Sequence, residues 1–437
     1  MFEVEASIPN PDSEAYENTN RAELPTYLDF FAGAGLVRLG LEPTWQCLWA
    51  NDLATLKQSV YSDNFGLDQF LLKDIATVQL AEIPRPVDMA WASFPCQDLS
   101  LAGWQRGMSA RHSGTFWAFW RLIRDLFDQG ERPHVVVIEN VAGLLNSNDF
   151  DGLCESLAAL DFQFGALVMD ARYFLPQSRP RVFVVAVDSR VSTGDLVESS
   201  SKNNPWISDR LLQTVDDLPP DLRNLWRWWN IPSAENIQVT PVSDLIETNP
   251  LGVEWNAPEE TDRLLAMMTD RNRAKIHKAQ ETEGSSVGFL YKRMRDGTQR
   301  AEVRFDGLAG CLRTPSGGSS RQTVLLINEG EVQTRLLSPR ESARLMGVPD
   351  TFVLPGSSTD AWRAMGDGVA VPVVRWLSSH LLIPLVAASH DHFSDSNCDA
   401  SRSVREQLEE FRNGSDHRAR LWDTETDRTR SIEISGT

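Results

Sequence analysis

The chain has 437 residues, 41% of them hydrophobic and 24% charged, the balance of a soluble globular protein with room for two or three domains. A net charge of −19 speaks against nucleic acid as a partner of the whole surface and leaves it to a local basic face. Five cysteines, at 47, 96, 154, 311 and 398, have no paired spacing, which argues against a disulfide framework or a zinc site and for a reducing cytoplasm. No apolar run approaches the roughly 20 residues of a membrane span. The acidic N-terminus also lacks the basic-then-apolar pattern of a signal peptide.

Residues 1–25, with Glu3, Glu5, Asp12, Glu14, Glu17 and Glu23 among prolines and asparagines, read as a mobile acidic arm. A strand follows from Thr26, runs into Gly33 and Gly35, and gives way to a helical pattern. Glycines at such a turn let a ligand approach the backbone, and a helix N-terminus favours a negative group. A second strand, Gln46–Ala50, ends in Asn51 and Asp52, where an acid after a glycine turn can hold ribose hydroxyls. Lys73-Asp74-Ile75 is a third strand end. Each of the two acids is also a candidate helix N-cap.

Asp88–Phe94 is a short apolar run of buried-strand length, and Pro95 stops it for want of an amide hydrogen. Cys96 therefore stands at a strand's carboxyl end, the edge at which open α/β sheets bind ligands. Cysteine also has the most nucleophilic ionised form near neutral pH. A lone cysteine is more often packed than reactive, so the other segments must decide. Gly103–Ser113 reads as a loop and Thr115–Phe127 as a helix. His134–Val141 is a β-branched strand carrying Glu139, an acid costly to bury unless paired. Glu139 reads either as a cap at the strand–helix turn or as a functional acid on the same edge as Cys96.

A helix is expected over Phe150–Leu160 and strands over Gly165–Asp170 and Arg181–Val187, with Arg179 and Arg181 on one side by alternation. Strand–helix alternation stops near 190. The stretch to about 330 concentrates Trp206, Trp226, Trp228, Trp229 and Trp255, and basic residues at Arg271, Arg273, Lys275, Lys278, Lys292, Arg293, Arg295 and Arg300. A turn rich in Gly, Ser and Arg runs from Leu312 to Gln322 and could follow a phosphate backbone or be a plain surface loop. Ser338 as N-cap, Pro339 at N1, Glu341 at N3 and Gly347 at the end predict a capped helix. Helical patterns return at Ala361–Met365 and Val371–Leu385, and from about 389 the chain is polar and charged.

Six of these segments together resemble the DNA (cytosine-5)-methyltransferase family over roughly residues 26–385. They are Phe30-Phe-Ala-Gly-Ala-Gly35, Phe94-Pro-Cys-Gln97, Glu139-Asn-Val141, Gln177-Ser-Arg-Pro-Arg181, Arg335 to Gly347, and Gly366-Asp-Gly-Val369. The resemblance implies an α/β fold, a Rossmann-like S-adenosylmethionine-dependent methyltransferase domain with a smaller target-recognition domain inserted. The divisions are an arm at 1–25, a catalytic cofactor-binding domain at 26–190, the target-recognition domain at 191–334, a return segment at 335–388 and a charged tail at 389–437.

It implies that Cys96 adds to carbon 6 of a cytosine flipped out of double-stranded DNA, that Glu139 bonds the ring's N3 and exocyclic amine, and that Arg179 and Arg181 hold the carbonyl side. S-adenosylmethionine would meet Phe30, Gly33, Gly35, Asp52, Asp74, Ile75, Gly368 and Val369. DNA would meet Gln105, Arg106, Arg111, Gln177, Arg313, Ser319, Ser320 and Arg321, and no metal is implied. Two residues depart from the family's pattern: Asp367 stands where Asn is usual, and Cys311 where many relatives carry threonine. By analogy the protein marks self DNA in a restriction or phage-defence system whose nuclease or helicase subunits are separate chains. The competing readings are an RNA (tRNA) cytosine-5 methyltransferase and a catalytically degenerate DNA-binding regulator.

Overall fold

Strands that are apolar over their whole length need cover on both faces, and the computed structural model of the protein shows that arrangement. It describes residues 24–95, 114–146, 149–198, 204–295, 297–314 and 321–394. Cys96, Gln105, Arg106, Arg111, Ser319 and Ser320, with nearly all of the expected arm and most of the tail, lie outside those residues.

The first part of the chain forms β1 (Thr26–Phe30), α1 (Leu36–Leu41), β2 (Gln46–Asp52), α2 (Thr55–Phe65), β3 (Phe70–Leu72), β4 (Met89–Ala92), α3 (Thr115–Asp128), β5 (Val135–Val141), α4 (Asp149–Ala158), β6 (Phe162–Asp170) and β7 (Pro180–Asp188). The seven strands make one sheet in the order β3-β2-β1-β4-β5-β7-β6. Strands β1 to β5 pair in parallel, and β7 runs antiparallel between β5 and β6. The order reverses between β1 and β4, and such a switch point opens a crevice at the carboxyl edge. Helix α3 shows why the layers close: Phe116, Phe119, Trp120, Ile123 and Leu126 recur at helical spacing and are all buried against the sheet.

The tryptophan-rich segment corrects the expected boundary at 190. Trp206 and Trp229 are buried in one core layer of the large sheet, and Trp226 in the other. The Trp229 indole donates to Val185 O at 3.2 Å, and Val168 N donates to Trp206 O at 2.7 Å. Gly165 permits this approach, since a Cβ there would lie 1.9 Å from Arg227 O. This segment, with α5 (Asp209–Asp217) and α6 (Pro220–Leu225), therefore belongs to the catalytic core. Composition alone could not tell a tryptophan of a second domain from one that caps the first.

Beyond it come α7 (Val242–Leu245), α8 (Pro258–Ala266), α9 (Asp270–Gln280), β8 (Ser286–Arg295), β9 (Thr298–Arg304), β10 (Thr323–Asn328) and β11 (Glu331–Leu336). The last four strands form an antiparallel sheet, β11-β10-β8-β9, backed by α8 and α9 around Leu264, Ile276, Leu290 and Leu325. The chain then returns through α10 (Pro339–Arg344), α11 (Ser358–Asp367) and α12 (Val371–Leu377), which continues helically to residue 394. By composition and length the stretch Ser358–Ser394 could cross a membrane, unlike the expectation from the sequence. Its apolar residues Val374, Leu377, Leu381 and Leu385 are instead buried in the core with Val37 and Leu41. The helix also runs past 388: His390 Nε2 lies 2.5 Å from Asp88 Oδ1, and Phe393 stacks on His134.

The capped helix expected at Ser338 forms with both halves of its box, Glu341 N donating to Ser338 Oγ and Ser338 N to Glu341 Oε2. Glu341 does more than cap. Both Arg335 Nη atoms donate to it, at 2.8 and 2.6 Å, and Glu247 N donates at 2.7 Å. Arg335 lies over the Trp255 ring, and both members of the pair are fully buried. The pair thus ties β11, the segment 247–255 and α10 together. Breaking it strands a buried charge, so Glu341→Ala is expected to lower unfolding free energy by about 3–5 kcal/mol. Urea titration checks this, and a loss below about 1 kcal/mol, the worth of an exposed pair, would remove the pair from that role.

Candidate active site

The parallel strands deliver their carboxyl ends to one edge, and the antiparallel β7 begins there. From β1 come Phe31, Gly33 and Gly35, from β2 Asp52, and from the end of β3 Asp74 and Ile75. Past β4 come Ser93, Phe94 and Pro95, the last described residue before Cys96. Strand β5 brings Glu139 and β7 brings Arg181, register partner of Val141.

On the β4–β5–β7 side, Arg181 Nε stands 3.2 Å from Glu139 Oε1. Burial pushes the Glu139 carboxyl above its ordinary range, against the opposing pull of Arg181, Arg179 and a Ser93 hydrogen bond. The neighbouring Asn140 Nδ2 donates to Phe94 O at 3.0 Å, so the strand end that leads to Cys96 is fastened beside the acid. Phe94 is buried and Pro95 exposed.

Arg179 and Arg181 do share a side, reaching Cys311 Sγ at 3.3 and 4.0 Å. Their roles differ from the expectation. Arg179 is 2% exposed, and its guanidinium donates to Leu312 O at 2.7 Å, Gly366 O at 2.9 Å and Gly368 O at 2.6 Å. Burial pulls its pKa down to about 10, still charged at neutral pH. With its terminal donors engaged by backbone carbonyls, Arg179 is a structural bolt, and Arg181 is the arginine paired with Glu139. Gln177 is corrected in the same way. It is fully buried, donates to Leu345 O at 2.6 Å and accepts from Leu312 N at 3.1 Å, and offers no edge to DNA.

On the β1–β2–β3 side, Gly33 N and Ala54 N both donate to the Asp52 carboxylate, at 3.0 and 2.9 Å. The side chain thus shapes the glycine turn and keeps acceptor capacity on both oxygens. Asp74 caps a short helical turn through Ala76 N and is exposed, while Ile75 is buried. Phe30 is a correction. It is fully buried between Trp49 and Phe119, each ring 4.9 Å away, and cannot line a crevice. Phe31 is the residue at the edge, partly exposed, with a φ of 61°. The strand's period of two puts only one of two adjacent phenylalanines inward, and the sequence does not mark which. Leu53, 68% exposed beside Asp52, was not singled out from the sequence, and a large exposed apolar residue on a ligand edge is the signal that could have found it. Gly368 and Val369 sit at the end of α11 against Leu36, Val369 itself buried in the core.

Between the large sheet and the small one runs a groove of about 350 Å³, lined by Ser178, Lys292, Arg293, Arg304, Cys311, Arg313 and Arg321 among others. Arg313 is exposed, and Arg321 lies over the Trp362 ring at 5.1 Å. A larger cavity, about 730 Å³, lies where Arg172 and Pro176 meet α9 and holds none of the expected site residues.

A family model described as C-5 cytosine-specific DNA methylase matches residues 26–382. The chain belongs to this family. It is 27% identical over 361 residues to the Type II methyltransferase M.HhaI of Haemophilus parahaemolyticus, covering 81% of this chain and 93% of that one. It is 26% identical over 371 residues to M.BsuFI of Bacillus subtilis, covering 84% and 74%. Among solved structures, the Entamoeba histolytica methyltransferase EhMeth superposes with a TM-score of 0.56 at 14% identity over 83% of this chain and 99% of that one, a likeness of fold.

Against the pattern expected of this methylase family, Asp367 has a local explanation. Lys57 Nζ, on α2 and nearly buried, donates to Asp367 Oδ2 at 2.7 Å and to Arg363 O at 3.3 Å, and Thr314 Oγ1 donates to the other carboxylate oxygen. The extra acid is therefore neutralised by a lysine brought from 310 residues away, and is no sign of a degenerate site. A double-mutant cycle checks the pairing. Asp367→Asn and Lys57→Met are each expected to destabilise, with the double variant recovering about 1 kcal/mol of the summed loss. Additive effects on unfolding would dissolve the pair.

Proposed function

We propose that the protein transfers a methyl group from S-adenosylmethionine to carbon 5 of cytosine in double-stranded DNA, through a covalent adduct of Cys96 with a flipped base. The observation that carries this reading is the Glu139–Arg181 pair, 3.2 Å apart, beside the strand end that leads into Cys96. Membership of the C-5 cytosine-specific DNA methylase family supports it.

The chain's residues fit such a cofactor. Gly33 has a φ of +59°, and a Cβ there would meet only Phe31 O at 4.0 Å, so open space lies over the turn. Asp52 offers acceptors for ribose hydroxyls, with Phe31 and the exposed Leu53 as apolar neighbours and Asp74 and Ile75 at the next strand end. When bound, S-adenosylmethionine supplies a methyl group made electrophilic by its sulfonium.

Carbon 5 of cytosine is a poor nucleophile, so the protein must create one. Addition of the Cys96 thiolate to carbon 6 moves the ring's electron pair onto carbon 5. That shift raises the basicity of N3, which takes the proton held by Glu139. A carboxyl raised by burial carries that proton further toward neutral pH than an exposed glutamate would. Arg181 beside it stabilises the carboxylate left behind and faces the base's carbonyl. Methylated carbon 5 then gives its proton to water, the double bond re-forms as the thiolate leaves, and N3 returns its proton to Glu139. Because these atoms are inaccessible within a duplex, the base is taken out of the stack. The four-stranded sheet and its basic groove favour duplex DNA over tRNA, since a substantial wall faces the cleft. A self-marking role beside separate restriction subunits is the companion proposal, supported by Type II methyltransferases among the relatives.

Two measurements test the chemistry. Cys96→Ser should abolish labelled methyl transfer to mixed-sequence duplex DNA, and undiminished transfer would end the nucleophile assignment. Glu139→Gln should lower the rate by about 10²–10⁴-fold. Its stability effect has a definite sign. The folded value is raised, so ionisation costs folding free energy once pH climbs above the ordinary carboxylate range. The Gln variant should therefore melt at or above wild type at pH 8, with the gain shrinking toward pH 4. A gain that grows as pH falls would contradict the burial argument.

A further inference from the structure

The β8–β9 hairpin has two different faces. Leu290, Ala301 and Val303 turn toward α8 and α9 and are buried. The alternate residues, Tyr291, Arg293 and Arg295 with Glu302, Arg300 and Thr298 opposite, share the other face. At the base of this face Phe289 is buried with Ala309, Leu312 and Leu337, so the face rises from the wall of the basic groove.

Its arginines are not equivalent. Arg295 pairs with Glu302 at 3.0 Å, and Arg304, further down, pairs with Asp306. Arg293 and Arg300 form no ion pair among the described residues, and each is exposed. They are register partners, directly opposite each other on neighbouring strands. Like charges in that relation destabilise the pairing. The nearest acid on this face, Glu302, is already paired with Arg295 and is only shared with Arg293, although the chain has 61 acidic residues to 42 basic ones. The groove-side member, Arg293, has its guanidinium over the Tyr291 ring at 4.7 Å, a contact that restricts its fork.

We propose that Arg293 and Arg300 read guanine in the major groove beside the target cytosine. The proposal rests on the methylation reading and deepens it by naming the recognition residues. A two-stranded ribbon fits the major groove, and a guanidinium fork matches guanine O6 and N7. The bound duplex thus supplies the acceptors that one shared carboxylate does not. Lys292 and Arg313 in the same groove are left to contact phosphates.

The test uses the full chain, S-adenosylmethionine and a duplex library with randomised flanks around cytosine, followed by conversion sequencing of methylated positions. Wild type should show a motif containing guanine. Arg293→Ala or Arg300→Ala should relax preference at one guanine position by about tenfold or more, leaving other positions intact. Arg→Lys variants should recover rate without recovering that discrimination. Without DNA, the Ala variants should melt no lower than wild type, because removing one charge relieves the repulsion; a purely structural arginine would give the opposite. An unchanged motif in both Ala variants, or equal losses on every sequence as expected of phosphate contacts, overturns the assignment while methylation itself stands. Wild type that methylates no DNA overturns the underlying reading as well.

Discussion

The site depends on one buried guanidinium. Arg179 binds the carbonyls of Leu312, Gly366 and Gly368, which belong to the chain's exit from the small sheet and to the end of α11. A buried charge is tolerated only where dipoles replace water, and three carbonyls at 2.6 to 2.9 Å do so here. The arrangement therefore reinforces itself: the arginine needs those segments, and it and Gln177 tie those segments to the large sheet. Two residues later Arg181 is left free for Glu139. One arginine builds the wall, and the second uses it.

The Lys57–Asp367–Thr314 contact extends the same logic to the other side of the crevice. It joins α2, which follows Asp52, to the end of α11 and to the segment leaving Cys311. Arg179 and Lys57 thus both hold the turn at Gly366–Gly368, one by its backbone carbonyls and the other by the Asp367 side chain. The β1–β2–β3 and β4–β5–β7 sides of the edge are consequently tied to one turn, which the helix returning from the far end of the chain carries.

Much of this was legible in the sequence for a physical reason. Strands buried on both faces must be apolar throughout, so β4 and β5 stand out, and a capping box is a local signal that needs nothing from the rest of the chain. The doubly wound sheet and the edge holding Asp52, Glu139 and Arg181 follow from those runs. Long-range partners were not legible. Nothing near Arg179 or Gln177 announces that their partners lie more than 130 residues away, so both read as residues that meet a ligand. Phe30 and Phe31 differ only in which face the strand turns inward, and Trp206, Trp226 and Trp229 look like a new domain until the sheet they cover is known.

The acidic charge of the whole molecule is of the same sign as that of DNA, and distance decides which charges count. Its net charge is −19, yet the groove beside Arg181 is lined by Lys292, Arg293, Arg304, Arg313 and Arg321 and, among the described residues, by no acid. At physiological ionic strength charges farther apart than about 8 Å are largely screened. A phosphate in the groove therefore responds to the cations lining it more than to the acidic remainder. At low salt the remainder is felt again and opposes approach. On the proposed reading the groove sets affinity, and the acidic exterior disfavours loose adherence elsewhere on the protein, which concentrates contact with DNA where the base can be reached.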